Sequence, residues 1–268
     1  MSKDKTLDRE WKKVRRRERK TLLPKKATIV QQKLAPVADR VADKVPNKAI
    51  AATEAAFAKG FAVVFEQGIG VIEKTFSKEK RQAAYCAGDN LRKDGEIKAS
   101  IKTMDKAARQ ASRTNKVLTT VEGGALGVLG IGLPDIPVYV GVLLKTVYEI
   151  ALSYGCRYDT DDEQIFILAI IDMAATEGAE REKYASRADL VGLLIDADQL
   201  PAIDKQALID ETAQLLTARL LTAKFVQGLP IVGIVGAATN YHFLAELSQA
   251  AEIKYKKRHL SRLQQEKR

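Results

Sequence analysis

Apolar residues along the chain recur mainly at three- and four-residue spacing, the period of one face of an α-helix. Strand-type runs rich in Val, Ile and Thr are scarce. The pattern is most marked between Gly123 and Tyr154, GGALGVLGIGLPDIPVYVGVLLKTVYEIALSY, where Asp135 is the only charged residue as far as Leu144 and glycines recur at 123, 124, 127, 130 and 132. Behind the punctuation of Pro134-Asp135-Ile136-Pro137, residues Ile136, Val140, Leu143, Leu144, Val147, Ile150 and Tyr154 keep a helical period. Asp135 is placed to cap this helix, Pro137 sits in the first turn where its missing N–H does no harm, and Gly155 is a C′ stop. Lys145 and Glu149, one turn apart, are expected to pair weakly. A second stretch, Phe225 to Ala245, has no charge, carries Gly228, Gly233 and Gly236, and repeats at 228–230 the Gly-Leu-Pro of 132–134. The two stretches are expected to pack together as the centre of an all-helical domain.

The remaining elements follow from the same pattern. Residues 3–23 read as a short basic helix in which Leu7, Trp11 and Val14 share one face. Pro36 and Pro46 keep any helix over 27–46 short or kinked. A helix begins at Asn47, is interrupted at Gly60 and continues as FAVVFEQGIGVI. Ser77 caps a helix from Lys78 to about Lys93, with Gly95 beyond it. Residues 96–121 form a helix that is basic outside, with Ile97, Ile101, Met104, Ala108 and Ala111 inside. In Asp159-Thr160-Asp161-Asp162-Glu163 the acids invite a metal reading, but the run is too short for an EF-hand loop and lacks its glycine at the sixth position. Thr160 as N-cap with Glu163 three residues on reads instead as a capping box, its acids on the positive end of a helix. Ser186 and Asp189 mark the next helix start, Pro201 breaks that helix, and Asp204 caps another that runs to about Lys224. The expected fold is all-α, a single compact bundle of about ten helices. Two glycine-rich apolar helices lie at its centre and basic extensions at its ends.

Residues 123–144 and 225–245 are each long enough to cross a bilayer, which takes about 20 residues. Each also contains a proline, and Asp135, Gln227, Asn240 and His242 are costly in lipid. Small residues at this spacing let helices approach closely in a soluble core as well as in lipid. A soluble core is the favoured expectation, with reversible membrane association second.

Composition adds the charge distribution. The 268 residues, 46% hydrophobic and 29% charged, suit a globular chain with room for one large core. The net charge of +10 sits at the ends: residues 1–26 hold 12 Lys/Arg against 4 Asp/Glu, and residues 253–268 hold 7 against 1, so the middle is net acidic. Basic ends of this kind bind anionic membrane surfaces or nucleic acid, or simply remain solvated. In the first helix the stripe of Leu7, Trp11 and Val14 is ringed by Lys12, Lys13, Arg15, Arg16, Arg17, Arg19 and Lys20, a pattern that can lie in a lipid headgroup layer. The alternative is an arm whose apolar residues dock on the protein. Nucleic acid is not the expected partner, because Trp11 is the only aromatic in this segment and no helix-turn-helix or RNA-binding signature stands out. Cys86 and Cys156 form neither a disulfide framework nor a zinc site and fit a reducing compartment. No apolar leader of the secretory type is present at the N-terminus.

The chemistry of a catalytic site is hard to find. No G-x-S-x-G, H-E-x-x-H or P-loop pattern occurs; Gly127 to Gly132 has the P-loop spacing, but Leu133-Pro134 replace the Lys and Ser/Thr. Of the two histidines, His259 falls in the basic tail and is expected to be solvated. Asp135, Asn240 and His242 form a polar spot if the two Gly-Leu-Pro segments pack together, and are the weak catalytic candidates; a structural hydrogen-bond network is the plainer account of them. No cofactor and no metal are expected.

GGALGVLGIGLPDIPVYVGVLLKTVYEIALSYG at 123–155, the acidic cap with Ile165-Phe166 after it, and KFVQGLPIVGIVGAATNYHFL at 224–244 resemble the EcsC protein family over roughly residues 50–258. The resemblance implies a compact helical domain of a kind widespread in bacteria, in a family named for its neighbourhood to an ABC-type exporter. It implies no catalytic residues. The expected organisation is a basic arm over 1–26, the helical domain over 27–252 and a basic tail over 253–268. The expected function is that of a non-enzymatic accessory protein, linked to membrane transport or envelope homeostasis. It would be cytoplasmic and peripheral at the inner face of the membrane, with anionic lipid or a membrane protein as partner. A hydrolase or lipid-modifying enzyme with its site at the Asp135 turn, and a soluble scaffold with nucleic-acid-binding tails, are the alternatives.

Overall fold

The structure, a computed structural model, describes residues 3–23, 46–127, 136–225 and 234–266. Among the described residues there are nine helices and no strand. In chain order they are α1 (Lys3–Leu22), α2 (Asn47–Glu73, with one π turn at Val64–Gly68), α3 (Lys78–Lys93), α4 (Ile97–Gly127), α5 (Ile136–Ser153), α6 (Asp161–Ala175), α7 (Gly178–Asp196), α8 (Lys205–Phe225) and α9 (Ile234–Gln265). Helices α5 and α6 are apolar nearly all round and form the centre, as helices enclosed on every side do; Val140, Leu143, Leu144, Ile167, Leu168 and Ile171 have no measurable exposure. Helix α9 packs against α1, α4, α5, α6 and α7 and so ties the bundle together. Helix α9, which begins within the second apolar stretch, packs on α5 of the first. The glycine-rich halves of both stretches, and the Asp135 cap, fall mainly outside the described residues.

Local signals place several helix ends. Ser77 Oγ accepts from the Lys80 N–H at 3.2 Å, and Asp204 Oδ1 accepts from Gln206 and Ala207 N–H at 3.0 and 3.1 Å. Thr160 caps α6 by accepting from the Glu163 N–H. Only half of the expected capping box forms, because the Glu163 carboxylate is turned to Arg258 of α9. Helix α5 ends in a Schellman turn, with Cys156 N–H on the Ala151 carbonyl at 3.0 Å and Gly155 N–H on that of Leu152 at 3.1 Å. Gly155 has φ +70° there, and a Cβ on it would lie 2.3 Å from the Tyr85 ring. Gly155→Ala therefore carries both left-handed strain and a steric conflict. Its expected cost is about 1–3 kcal/mol, read as a lowered thermal midpoint; an unchanged midpoint would show that Tyr85 moves aside and the turn relaxes.

Two expectations are corrected. Gly60 does not interrupt α2. It is buried where α2 crosses α5, and a Cβ built on it would make a tight 3.2 Å contact with Val140 Cγ2. Ser186 and Asp189 do not start a helix; α7 begins at Gly178, and both residues lie inside it. Glu149, which the local pattern sets beside Lys145, is buried and accepts from Arg81 of α3 at 3.0 and 3.1 Å. At Gly60, Asp189 and Glu149 a tertiary contact outranks the local pattern. Among the described residues two helices, α2 and α5, are long and apolar enough to cross a membrane by length and composition. The apolar window of α5 is 72% buried inside the protein and that of α2 is 33% buried.

Candidate functional site

Helix α1 carries the largest set of predicted site residues, and its faces are sharply divided. Leu7 and Val14 are buried against Ile97 and Ile101 of α4 and Ile253, Leu260 and Leu263 of α9, with Trp11 half-buried beside them. The apolar stripe is thus covered by protein, which is the docked alternative to insertion among headgroups. Glu10 and Glu18 flank the stripe and are also buried. Glu18 takes Lys254 at 2.6 Å and Lys257 at 2.9 Å, and Glu10 takes Lys256 at 2.8 Å. The opposite side of α1 carries Lys12, Arg15, Arg16, Arg19 and Lys20, all exposed and without an ion pair among the described residues. The guanidinium of Arg15 lies over the Trp11 ring at 5.1 Å. Lys13 and Arg17 lie on a flank, bound to Glu10 at 2.5 Å and to Glu252 at 2.6 Å.

The basic C-terminal segment behaves differently. Residues 253–265 are the end of α9 and mostly buried, and their cations are engaged within the fold. Lys254, whose side chain is 0% exposed, also donates to Asp189 and to the Ala185 carbonyl. Arg258 forks onto Glu163 at 2.8 and 2.8 Å and reaches Asp196 at 2.6 Å, while Arg262 shares Asp196 at 2.7 Å. Here the acidic middle of the chain meets its basic end. His259 is buried rather than solvated, and its Nε2 has no partner among the described residues. Burial, helped by the nearby Arg262 charge, depresses its pKa to about 4.

A cleft of about 460 Å³ opens between α1, α4 and α9, with Val14, Ile101 and Tyr154 among its lining. The carboxylates of its lining are all engaged. Glu10 holds Lys13 and Lys256. Asp105 accepts from Lys256 at 2.7 Å and from the Tyr154 hydroxyl at 2.9 Å, and Glu252 accepts from Arg17 and from the Ser112 hydroxyl, both at 2.6 Å. Lys98, Lys102, Lys106 and Arg113 of α4 line the same cleft. Sequence inspection marks this helix only as basic outside; the signal that assigns it to a site is the four- and seven-residue spacing of those cations, which sets them on one stripe.

The weak catalytic candidates are not assembled by the described residues. Asp135 and the side chain of Asn240 lie outside them. His242 is 61% exposed and stands 3.4 Å from Glu246, one turn along α9. Among the described residues no group of three His, Cys, Asp or Glu is disposed to hold a metal. Cys156 is buried, and burial raises its thiol pKa, the reverse of an activated nucleophile.

One buried acid is strongly perturbed. Asp172 of α6 has no measurable exposure; its Oδ1 accepts from Thr212 of α8 at 2.6 Å, while Oδ2 has no partner among the described residues. Burial raises its pKa to about 7, with Thr212 lowering it and Glu211 raising it. Between about pH 4 and 7 the folded chain keeps this proton and the unfolded chain loses it. Stability from this group is therefore fully present below pH 4 and falls by at most about 1.4 kcal/mol per pH unit up to pH 7. Asp172→Asn is expected to stabilise the chain at pH 8 and to change little at pH 4. Equal effects in denaturant titrations at the two pH values would contradict this assignment.

The described residues thus define an all-helical bundle with an apolar centre and a cation-rich face. Residues 8–260 match the EcsC protein family, so the chain belongs to that family. The match takes in most of α1, which the sequence resemblance left outside. The chain is also similar to an uncharacterized protein, YdbA, of Bacillus subtilis (strain 168): 26% identical over 211 residues, 74% of this chain and 71% of the relative. No solved structure matches.

Proposed function

We propose that this chain is a non-enzymatic, peripheral membrane-associated accessory protein that docks on anionic lipid at the cytoplasmic face through the outward side of α1. The observation that carries this reading is the sorting of charge on that helix. Glu10 and Glu18 turn inward and bind α9, while Lys12, Arg15, Arg16, Arg19 and Lys20 stand outside with no ion pair among the described residues and a single exposed acid, Asp8, beside them. A merely solvating segment has no reason to separate its charges this way. Each cation near an anionic surface contributes about 1 kcal/mol, so five give a reversible attachment that added salt weakens. The apolar surface of α2, with Val63 and Val71 exposed, supports contact with a membrane or a membrane protein after docking. A role beside membrane transport or in envelope homeostasis fits such an attachment.

The test is flotation of the full chain with anionic and neutral vesicles at low and physiological salt. The parent chain should float only with anionic vesicles and lose binding as salt rises. Substituting Lys12, Arg15, Arg16, Arg19 and Lys20 by Gln should abolish flotation without changing the thermal midpoint, because none of the five is part of the core. No flotation of the parent chain at low salt, or flotation unchanged by the five substitutions, would refute the reading.

A further inference from the structure

Helix α4 presents Lys98, Lys102, Lys106 and Arg113 along one stripe, each exposed and without an ion pair among the described residues. Cations one turn apart on a helix repel one another. This stripe also faces Lys13 and Arg17 of α1 across the cleft, so cations line both walls. Arg109 adds a further guanidinium, which reaches Asp105 only at 3.9 Å. The carboxylates Glu10, Asp105 and Glu252 are fixed to Lys13, Lys256, Arg17, Tyr154 and Ser112 and leave the α4 stripe unbalanced. The helices that carry the two walls are packed together by the apolar cluster of Leu7, Val14, Ile97, Ile101, Ile253 and Leu260.

We propose that the cleft between α1, α4 and α9 binds a phosphate group carrying two or more negative charges, held between Lys102 and Lys106 of α4 and Lys13 and Arg17 of α1. Its volume of about 460 Å³ lies within the range of small-molecule sites, roughly 300–1,000 Å³. Arginine forks match phosphate oxygens two at a time, and lysines add point charge. A dianionic monoester or a pyrophosphate gains from cations on both walls, whereas a monoanionic phosphodiester satisfies fewer of them. The phosphate can belong to a lipid headgroup or to a free compound; the lipid case deepens the membrane reading above and rests on it, and the free case does not.

The probe is inorganic pyrophosphate, titrated calorimetrically into the full chain at physiological salt. Saturable binding is expected. Lys102→Gln with Lys106→Gln should weaken it by at least about tenfold, and both residues are exposed, so the pair should leave the thermal midpoint unchanged. Lys12→Gln with Arg16→Gln, on the outward side of α1, should leave pyrophosphate binding intact. A second arm compares vesicles containing phosphatidic acid with phosphatidylglycerol vesicles of matched charge. A preference for phosphatidic acid that the Lys102/Lys106 pair erases identifies the lipid source. Pyrophosphate binding without that preference identifies a free phosphate compound and supports the cleft even if flotation on anionic vesicles fails. Absence of saturable pyrophosphate binding, or binding indifferent to Lys102 and Lys106, overturns the proposal, whatever the outward face of α1 does.

Discussion

Arg258→Ala is expected to destabilise the chain by about 3–5 kcal/mol, the cost of removing one partner from a buried ion-pair network. The guanidinium is buried, stacks on Phe166 at 4.6 Å and neutralises both Glu163 and Asp196. Arg262 compensates Asp196 alone, so Glu163 would be left buried without a cation. The packing leaves no slack: a Cβ on Gly192 would come 2.9 Å from both Arg258 Cδ and Phe166 Cε2. Arg258→Lys should recover little, because an ammonium cannot fork onto Glu163 and reach Asp196 at once. Replacing only the pair, Arg258→Met with Glu163→Gln, and leaving Asp196 to Arg262 should recover a substantial part, since no uncompensated charge then remains. Urea denaturation at neutral pH reads all three variants; an Arg258→Ala midpoint equal to that of the parent would mean the network is solvated and not buried.

Deleting residues 1–23 is the second large effect, and it bears on how the membrane reading is tested. The deletion uncovers Ile97, Ile101, Ile253, Leu260 and Leu263 together. It also removes Glu18 from Lys254 and Glu10 from Lys256, leaving fully or nearly buried ammonium groups underpaired. The truncated chain should lose several kcal/mol and aggregate through the exposed apolar cluster. Size-exclusion chromatography and a thermal melt of the truncated chain measure this. A monomer with the parent's midpoint would show that α1 is a detachable arm. For the same reason, loss of vesicle binding on truncation says little about lipid contact, and charge substitutions on the outward side of α1 are the sharper probe.

How much of this was legible in the sequence depended on range. Caps at Ser77, Thr160 and Asp204 and the glycine end at Gly155 could be read, because each is a contact within a few residues. The apolar period of α5 marked one half of the centre for the same reason, whereas α6 was read for its cap and not as the other half. The basic C-terminal segment was misjudged because a charge count cannot tell a paired cation from a free one: Lys256 and Glu10 are 246 positions apart, and Arg258 and Asp196 are 62 apart. The excess of acid in the middle of the chain was the one available hint, and in the fold much of it meets α9. Of the candidate site, the basic side of α1 was visible as a pattern, but its division into a docked face and an outward face was not. The α4 stripe needed the cleft to give it a counterpart. Gly60 and Glu149 answer to helix crossings and buried partners that no local pattern records.

The account turns on α1 being a built-in helix, locked to α9 by Glu10 and Glu18, so that its basic side is a fixed feature of the surface. Amide hydrogen exchange of the full chain at neutral pH and low salt tests this most directly. The account predicts that amides in the middle of α1, around Val14 to Glu18, exchange at least about a hundredfold more slowly than in an unstructured peptide and are protected together with residues 253–263 of α9. Exchange of α1 at the unstructured rate, while α9 stays protected, would contradict it and return the segment to a free basic arm.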